Sequence, residues 1–529
     1  MPEVTAATAA SSAAGLDRLD YAMVAVYLLV TIGIVVWASR RQHDTDDFFL
    51  GSRRLPWLAV GLSIMATLLS SITYLGLTGE IVKNGIAGFV PQLAMIPAAF
   101  LVVPLFIPFF MRLRFTSAYE YLEHRFDYRA RLLGGGLFLL LRTGWVSLVM
   151  YTGSLALAKM AGWNLYNVIL VLGLAATLYA CFGGLKAVVW TDVLQALMLF
   201  GGALAIVLYV WIDSGEGPLA WWHAAGAHSA THTSPVLFSF DPTVRVTLLT
   251  ALISGFFWQL CTHCSDQVVL QRYASTPSLA AARNSYLTNI AAAFSITALL
   301  GVSGLALLYF YLQHPERLPD AVSPTKVGDE LMPYFYANQL PAGFGGLILA
   351  NFLCDAMQTL VSGVNSITAV ASQDVLERRR RSDTPTDRRR LLTARILTVF
   401  LGIGTTLIAL GVASLAQSSG KNIIDLMPRT FNMFLGPLGA LFLIGMFLPR
   451  STARTAVPAV LAALAVSISW CYCRELFGTP FDLSIMWAIP LPCCLGFGLA
   501  GLLSLIFETS GDHPGRQYTW RAVMRRPEL

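Results

Sequence analysis

The chain is 529 residues long, with 56% hydrophobic and only 12% charged residues and a mean hydropathy of +0.62. Soluble domains cannot bury that much apolar surface, so this composition excludes an ordinary soluble protein and predicts one that lies in a bilayer. The formal net charge of +6 comes with arginines in short loops between apolar runs, which is typical of membrane topology and speaks against nucleic-acid binding.

Residues 1–15 are rich in Ala, Ser and Thr and lack the basic start of a signal peptide, so we expect residues 1–20 to form a disordered extracytoplasmic tail. Thirteen mostly apolar runs follow, each near the roughly 20 residues that a membrane helix needs. The predicted spans, numbered in chain order, lie at 21–39, 57–78, 87–111, 132–160, 165–182, 187–212, 245–265, 287–312, 343–373, 391–415, 428–449, 453–473 and 485–507. The pattern predicts an all-α, polytopic membrane protein with a transmembrane domain over 21–507 and a cytoplasmic tail over 508–529.

Basic residues are shared unevenly between the two sets of alternate loops. The loops at 112–131 and 378–390 are rich in arginine, whereas the long loops at 213–244 and 313–342 hold few basic residues. Because cytoplasmic loops collect Lys and Arg, the N-terminus is predicted outside and the C-terminus inside the cell (inner) membrane. Neither long outer loop contains a run that predicts a catalytic domain, so we expect a protein that is not an enzyme. We expect a monomer, with the bilayer and a small-molecule solute as its partners.

The eight cysteines lie almost entirely in apolar runs, where a free cysteine behaves as a small hydrophobe, so no disulfide framework is predicted. Cys261, His263 and Cys264 are the one group that resembles metal ligands. A zinc site needs a fourth ligand and a polar surrounding, which the neighbouring sequence does not supply. We therefore expect no zinc there.

Polar residues interrupt two of the spans. Hydroxyl side chains cluster in the middle of span two, and span seven ends in the polar run 259–267. Polar or irregular backbone at membrane depth normally lines protein or a water-filled cavity. Two interruptible helices five spans apart are typical of an inverted five-helix repeat, with a binding site where the broken helices meet. The alternative is that the hydroxyls bond back to their own helix or join neighbouring helices.

Three ionisable residues lie deep in apolar runs: Arg142 in span four, Asp192 in span six and Asp355 in span nine. Inserting such a group costs at least about 2.5 kcal/mol, so each one needs a function or a partner. Arg142 is either a receptor for an anionic group, since its planar fork suits carboxylates, or a structural residue. In the structural interpretation it pairs with Asp192 or Asp355, or extends to the cytoplasmic face. His263 is likewise either a pocket residue or a hydrogen-bonded core residue.

Three segments resemble one known family. Residues 183–195, Gly-Gly-Leu-Lys-Ala-Val-Val-Trp-Thr-Asp-Val-Leu-Gln, closely resemble the signature of the sodium:solute symporter family. Residues 266–273 resemble the segment after the first helix of that family's second repeat. Residues 362–366, followed by Asp374, resemble its ion-site helix and cytoplasmic exit.

The resemblance covers roughly residues 20–450 and implies a LeuT-like fold built from two inverted five-helix repeats. Repeat one is expected at about 57–212 and repeat two at about 245–449. The extra helices are then those at 21–39, 453–473 and 485–507.

The resemblance also implies sodium as the coupling ion, with no organic cofactor. The positions that match the family's main sodium site are Ala66, Leu69, Asp355, Gln358 and Thr359. Two of them depart from the family pattern, which has a small residue at Asp355 and a serine at Gln358. A second sodium site would map to Asp192 and Ser362, although Val361 replaces a further hydroxyl there.

The positions that match the family's solute pocket combine hydroxyls, amides, one histidine and one arginine. They are Ser70, Thr73, Gln92, Arg142, Gln259, Thr262 and His263. This composition resembles the sialic acid branch more than the sugar branch. It implies sodium-coupled symport of a small organic anion, such as sialic acid or a monocarboxylate, into the cytoplasm by alternating access. The alternatives are a sugar, polyol or amino-acid symporter, proton coupling through Asp355, and a membrane sensor that uses a transporter fold.

Overall fold

The computed structural model describes residues 18–39, 51–113, 115, 117–180, 185–318, 323–371, 387–419, 423–479, 483–507 and 513–526. Within these ranges the regular secondary structure is helical, which confirms the all-α prediction. The predicted tail up to residue 17, the signature glycines at 183 and 184, and Asp374 lie outside the described residues.

The first half of the chain forms one separate helix and then the helices that correspond to predicted spans two to six. They are α1 (Arg18–Ser39), α2 (Trp57–Leu68), α3 (Ser71–Asn84), α4 (Ile86–Leu113), α5 (Tyr128–Ala161), α6 (Leu165–Ala180) and α7 (Leu185–Ser214). Short helices in the connections lie at Ala118–Arg125, Pro218–His228 and Ala230–Thr233.

The second half contains the helices that correspond to spans seven to eleven, followed by two more long helices. They are α8 (Leu248–Ser265), α9 (Gln267–Ala274), α10 (Leu279–Gln313), α11 (Gly328–Asn338), α12 (Phe344–Ala371), α13 (Asp387–Ser419), α14 (Ile423–Phe447), α15 (Ala453–Cys471) and α16 (Ile485–Phe507). The described part of the final tail returns to the bundle, because the indole N–H of Trp520 donates to the Leu105 carbonyl at 2.9 Å.

Ten helices of the described chain are long and apolar enough to cross a membrane, and the bent pair α2 and α3 would make eleven. Each of the predicted spans has a helix at its position, but two of these helices are not among the eleven. α6 is described over the 16 residues Leu165–Ala180, fewer than the roughly 20 of a full span. The last turns of α8 carry the polar side chains of Gln259, Thr262 and His263. The count of thirteen spans therefore stays a prediction.

The hydroxyl-rich stretch of span two is a break between two helices. α2 ends at Leu68, α3 begins at Ser71, and their axes differ in direction by 59°. A carboxylate from α12 stabilises the break, because the Ser71 backbone N–H donates to Asp355 Oδ2 at 2.7 Å. Such an N–H at the start of a helix has no partner within its own helix.

The polar end of span seven is also an interruption. α8 ends at Ser265, and Asp266 accepts from the Val268 backbone N–H at 2.9 Å to begin α9. An aspartate at this position satisfies a helix-start donor that would otherwise lack a partner. Both interruptions predicted from polar residues are thus present.

The two groups of five helices exchange contacts reciprocally. α4, the second helix of the first group, packs against α8, the first of the second group. In turn α10, the second helix of its group, packs against α2 and α3. The third helices, α5 and α12, pack against each other. This exchange is the arrangement that two repeats of inverted topology produce.

Candidate solute and ion site

A cavity of about 160 Å³ lies beside the break between α2 and α3. It is bounded by these two helices, α4, α5, α8, α10, α14 and the start of α16. α8 approaches α4 closely here because Gly255 has no side chain, and a Cβ at this position would collide with the Pro91 carbonyl oxygen. At roughly 10–15 Å³ per water position, the cavity has room for a small organic molecule.

Most of the cavity wall is apolar, with a few neutral polar side chains. The polar lining residues are Thr73, Gln92, Ser254, Gln259, Asn289 and Asn432, together with one ionisable residue, Glu80. No Lys, Arg or His occurs among the described residues that line the cavity. A pocket of this kind orients its ligand by a few polar groups on a mainly apolar surface.

Three of the seven predicted solute residues, Thr73, Gln92 and Gln259, line the cavity. Ser70 and Thr262 are buried next to it without lining it. His263 is fully buried, with Nε2 at 3.0 Å from Gln259 Oε1 and Nδ1 at 2.7 Å from the Tyr273 hydroxyl. This is the placement expected of a hydrogen-bonded core histidine, and a solute role for Ser70, Thr262 and His263 stays a prediction.

Arg142 does not line the cavity, contrary to its predicted role as the anion receptor. Its Nη2 pairs with Asp266 Oδ2, and both side chains are almost completely buried. The structural interpretation therefore fits its placement better, but the partner is Asp266 rather than Asp192 or Asp355. The reason is the interruption after α8, which brings a helix-start carboxylate next to α5.

Asp192, which was predicted to bind a second sodium, is already paired with the guanidinium of Arg272. Its Oδ2 accepts from Ser63 Oγ at 2.5 Å, from Thr67 Oγ1 at 3.4 Å and from Arg272 Nη2 at 3.1 Å. Arg272 also donates to Ser63 and Thr67 at 2.8 and 2.7 Å, and its side chain is 1% exposed. The guanidinium thus supplies the positive charge that a second sodium would bring to this carboxylate.

The other residues considered at the second sodium site are uncharged. The carbonyl of Ser362 accepts from Ser366 Oγ within α12 at 2.9 Å. Val361 packs against Val188 of α7 as a small apolar pair. A second sodium at Asp192 and Ser362 stays a prediction, and these contacts do not favour it.

The residues predicted for the main sodium site carry oxygen atoms at the break and on α12. α2 ends between Ala66 and Leu69, so the carbonyls of its last turn have no donor further along that helix. Gln358 Oε1 is buried and has no hydrogen-bond partner among the described residues. Thr359, one residue further along α12, is also buried. Hard cations bind neutral and carboxylate oxygens of this kind.

The carboxylate of Asp355 is engaged in hydrogen bonds rather than available as an ion ligand. One oxygen accepts from the Ser71 backbone N–H, and the other accepts from the Gln195 side-chain amide. Both oxygens therefore already have donors on α3 and α7. The backbone carbonyl of Asp355 remains the part that matches the family's sodium ligand. Within the described ranges, no group of three or more His, Cys, Asp or Glu side chains is placed to hold a metal ion.

A cluster of charged residues beside the cavity was not predicted from the sequence. Arg245, just before α8, donates to both carboxylate oxygens of Glu80 at 2.5 and 2.8 Å and to Asp425 at 2.9 Å. Burial alone would lower the pKa of the Arg245 guanidinium, but its hydrogen bonds to Glu80 and the charge of Asp425 raise it above the ordinary value. The cluster joins α3, α8 and α14 at one end of the cavity. No local motif could have found it, because its members lie far apart in the chain.

The apolar helices, the broken helix pair and the cavity beside the break are those of a polytopic membrane transporter. The model of the sodium:solute symporter family matches residues 48–462, and the chain belongs to this family. It is therefore a sodium-coupled secondary transporter with a LeuT-like fold, as the sequence predicted.

Named relatives agree with this assignment. The chain is 31% identical over 462 residues to the sodium/sialic acid symporter SiaT of Proteus mirabilis (strain HI4320), covering 87% of this chain and 90% of the relative. It is 29% identical over 455 residues to the human sodium-coupled monocarboxylate transporter 1, covering 85% of this chain and 72% of the relative. A solved structure of a substrate-bound, outward-open Na+-coupled sialic acid symporter superposes with a TM-score of 0.81 at 27% identity, covering 94% of this chain and all of that one.

Proposed function

We propose that this protein carries a small organic anion into the cytoplasm together with sodium by alternating access. The observation that supports this proposal best is the cavity beside the break between α2 and α3. Among its neutral polar groups, Thr73 on α3 follows Ala66 and Leu69 across the break, and Gln92 on α4 and Gln259 on α8 line the same cavity. Broken helices of this kind hold substrate and coupling ion side by side in other transporters.

The proposed coupling follows from the shared turn. Ala66 and Leu69 would bind sodium through their carbonyls, while Thr73 on the following turn would contact the solute. Sodium binding would order the interrupted backbone and so lower the cost of ordering it for the solute. Each ligand then raises the affinity for the other, because the binding free energies are reciprocally linked.

An organic anion is supported by the relatives, whose names specify sialic acid and monocarboxylates. Neutral donors in a partly dry cavity can hold a carboxylate, and the neighbouring sodium would offset its charge. A neutral solute, a sugar, polyol or amino acid, is the second candidate. It is favoured by the absence of a cation among the described lining residues.

In this proposal the protein is a monomer in the cell membrane, with the N-terminus outside and the C-terminus in the cytoplasm. The Glu80, Arg245 and Asp425 cluster would then face the outside. The arginine-rich loops would face the cytoplasm, where basic residues normally collect.

Uptake into proteoliposomes tests the proposal. Purified protein is given radiolabelled lactate, sialic acid, glucose and proline under an inward sodium gradient, and protein-free liposomes serve as the control. We expect saturable uptake of lactate or sialic acid that needs sodium and survives a proton uncoupler. Uptake of glucose or proline alone would favour the second candidate, and no uptake of any of the four would contradict the proposal.

A further inference from the structure

Trp145 of α5 lines the cavity and carries an unused hydrogen-bond donor. The residue is 4% exposed. Its Nε1 atom is buried and has no hydrogen-bond partner among the described residues. A buried donor of this kind is normally satisfied, because leaving it unpaired loses its hydrogen bond to water without a replacement. An unpartnered donor that borders a cavity indicates a ligand.

The indole is held in place from two sides. Gly144 lets α14 come close, since a Cβ at this position would collide with the Thr430 carbonyl oxygen. The ring of Phe431 then meets the indole edge-on, with ring centroids 4.8 Å apart. On the other side, the Arg142 guanidinium lies over the indole at 5.4 Å from the ring centroid. The donor is therefore oriented before any solute enters.

The helix opposite Trp145 supplies a second unused polar group. Pro428–Asn432 forms a short π-helical segment at the start of α14, and such segments occur frequently at functional sites. Asn432 lines the cavity, and its Oδ1 is buried without a partner among the described residues. Because oxygen and nitrogen of an amide are assigned from their surroundings, rotation of this amide can offer either a donor or an acceptor.

The Arg142 guanidinium makes the indole N–H a stronger hydrogen-bond donor. A cation over an aromatic face attracts the ring electrons, which makes the N–H at the ring edge a better donor. Asp266 fixes the guanidinium in this position. Arg142 is thus a positioning residue that acts on the cavity through Trp145.

We propose that Trp145 Nε1–H and the Asn432 amide form the polar anchor that receives the carboxylate of the transported solute. Around this anchor the wall is apolar, with Met65, Trp258 and Met427 among its residues. The solute class that fits is a small monocarboxylate with an apolar body. This inference rests on the proposed function and names the part of the solute that the cavity recognises.

The test compares Trp145→Phe with a matched tryptophan elsewhere. Trp145→Phe keeps an aromatic ring against Phe431 and Arg142 but removes the N–H. Trp221→Phe is the control, because the Trp221 Nε1 is also buried and unpartnered among the described residues but does not line the cavity. Lactate uptake and thermal stabilisation by lactate are measured for both variants at saturating sodium. Sodium-induced stabilisation without lactate reports folding and ion binding.

We expect Trp145→Phe to raise the KM for lactate about tenfold or more, since a hydrogen bond to a charged group is lost. Its sodium-induced stabilisation and maximal rate should stay close to wild type, and Trp221→Phe should match wild type throughout. Asn432→Leu should give a smaller rise in KM. An unchanged KM in Trp145→Phe, with normal uptake by wild type, would overturn the anchor and leave the proposed function standing. No response of wild type to lactate or sialic acid would instead overturn both.

The positioning role of Arg142 is tested by a separate variant. The double variant Arg142→Met with Asp266→Leu removes both charges, so no buried charge is left unpaired. A positioning role through Trp145 predicts a raised KM for lactate with an unchanged maximal rate. A KM equal to that of wild type would show that the guanidinium does not strengthen the indole donor.

Discussion

The cavity wall is mostly neutral, whereas the region next to it contains buried charges. Two buried ion pairs, Arg142 with Asp266 and Arg272 with Asp192, form what we call the charge floor. The cavity wall, in contrast, has neutral polar groups and one carboxylate, Glu80, that Arg245 already holds. In this protein the deeply buried arginines therefore already have counter-ions from other helices, and neutral groups are left to line the cavity.

The comparison also separates the two predicted ion sites. At the main site, Gln358 Oε1 has no partner in the described chain, so an oxygen is left for a cation. At the second site, Asp192 is bonded by Arg272, Ser63 and Thr67. Arg272 thus already compensates the charge of Asp192 at the predicted second site, whereas the predicted main site has an oxygen without a partner among the described residues.

Breaking one pair of the charge floor should have the largest effect. Arg142→Met leaves Asp266 buried without its cation, which we expect to destabilise the fold by about 3–5 kcal/mol. Folded yield is measured by size-exclusion chromatography in detergent. The double variant with Asp266→Leu should recover most of the folded protein. A single variant that folds and melts like wild type would show that the pair contributes little.

Removing an oxygen from the main ion site should weaken sodium binding without harming the fold. Thr359→Val keeps the shape of the side chain and removes its hydroxyl, so we expect a loss of about 1.5 kcal/mol, or roughly tenfold, in sodium affinity. Thr297→Val is the matched control, because Thr297 is buried in α10 and bonds back to Ala293 at 2.7 Å. Equal sodium affinities in the two variants would remove Thr359 from the site.

The filled second site should leave one sodium per transport cycle. We expect sodium to activate uptake with a Hill coefficient near 1, because Arg272 compensates Asp192. Replacing both with neutral residues, Asp192→Asn with Arg272→Gln, should keep that coefficient. A sigmoidal sodium dependence in the wild type that becomes hyperbolic in the double variant would instead support a second sodium at Asp192.

Asp355 allows sodium and proton coupling to be compared directly. Asp355→Asn keeps an oxygen that can accept from the Ser71 backbone N–H, so we expect sodium-driven uptake to fall by no more than a few-fold. Uptake is measured with a sodium gradient at constant pH and with a pH gradient in sodium-free buffer. If only the pH gradient drives uptake and Asp355→Asn abolishes it, protons are the coupling ion.

The smallest expected effect concerns Asp329 of α11, outside the spans. Burial raises the pKa of its carboxyl from 3.8 to about 6, although Lys83 and a hydrogen bond from the Ile423 backbone N–H act in the opposite direction. Because the folded pKa is raised, its contribution to stability is complete below pH 4 and is lost as the pH rises through 6. We expect a loss of about 1 kcal/mol between pH 5 and pH 7. Asp329→Asn should flatten this part of the melting profile, and an unchanged profile would rule out Asp329 as its source.

The features predicted correctly from the sequence are those that depend on the local pattern of residues. Runs of apolar residues placed the helices, and the hydroxyls of span two and the polar end of span seven predicted both interruptions. Resemblance to the family then placed Thr73, Gln92 and Gln259, which do line the cavity. The helices and interruptions follow from residue type and spacing, whereas the three cavity residues needed the resemblance to the family.

Contacts between distant segments could not be predicted in the same way. The partner of Arg142 lies 124 residues away and belongs to a helix start that exists only because α8 ends at Ser265. Trp145 looks like an ordinary apolar residue of span four, and only the structure shows its N–H without a partner beside a cavity.

Solute uptake by the charge-neutral double variant distinguishes recognition by the neutral cavity from recognition by Arg142. Arg142→Met with Asp266→Leu is reconstituted, and lactate uptake is measured against wild type under the same sodium gradient. If the neutral cavity recognises the solute, the variant transports lactate saturably with a raised KM and a near-normal maximal rate. If folded variant protein shows no saturable uptake while wild type does, Arg142 binds the solute itself and the division between cavity and charge floor is wrong.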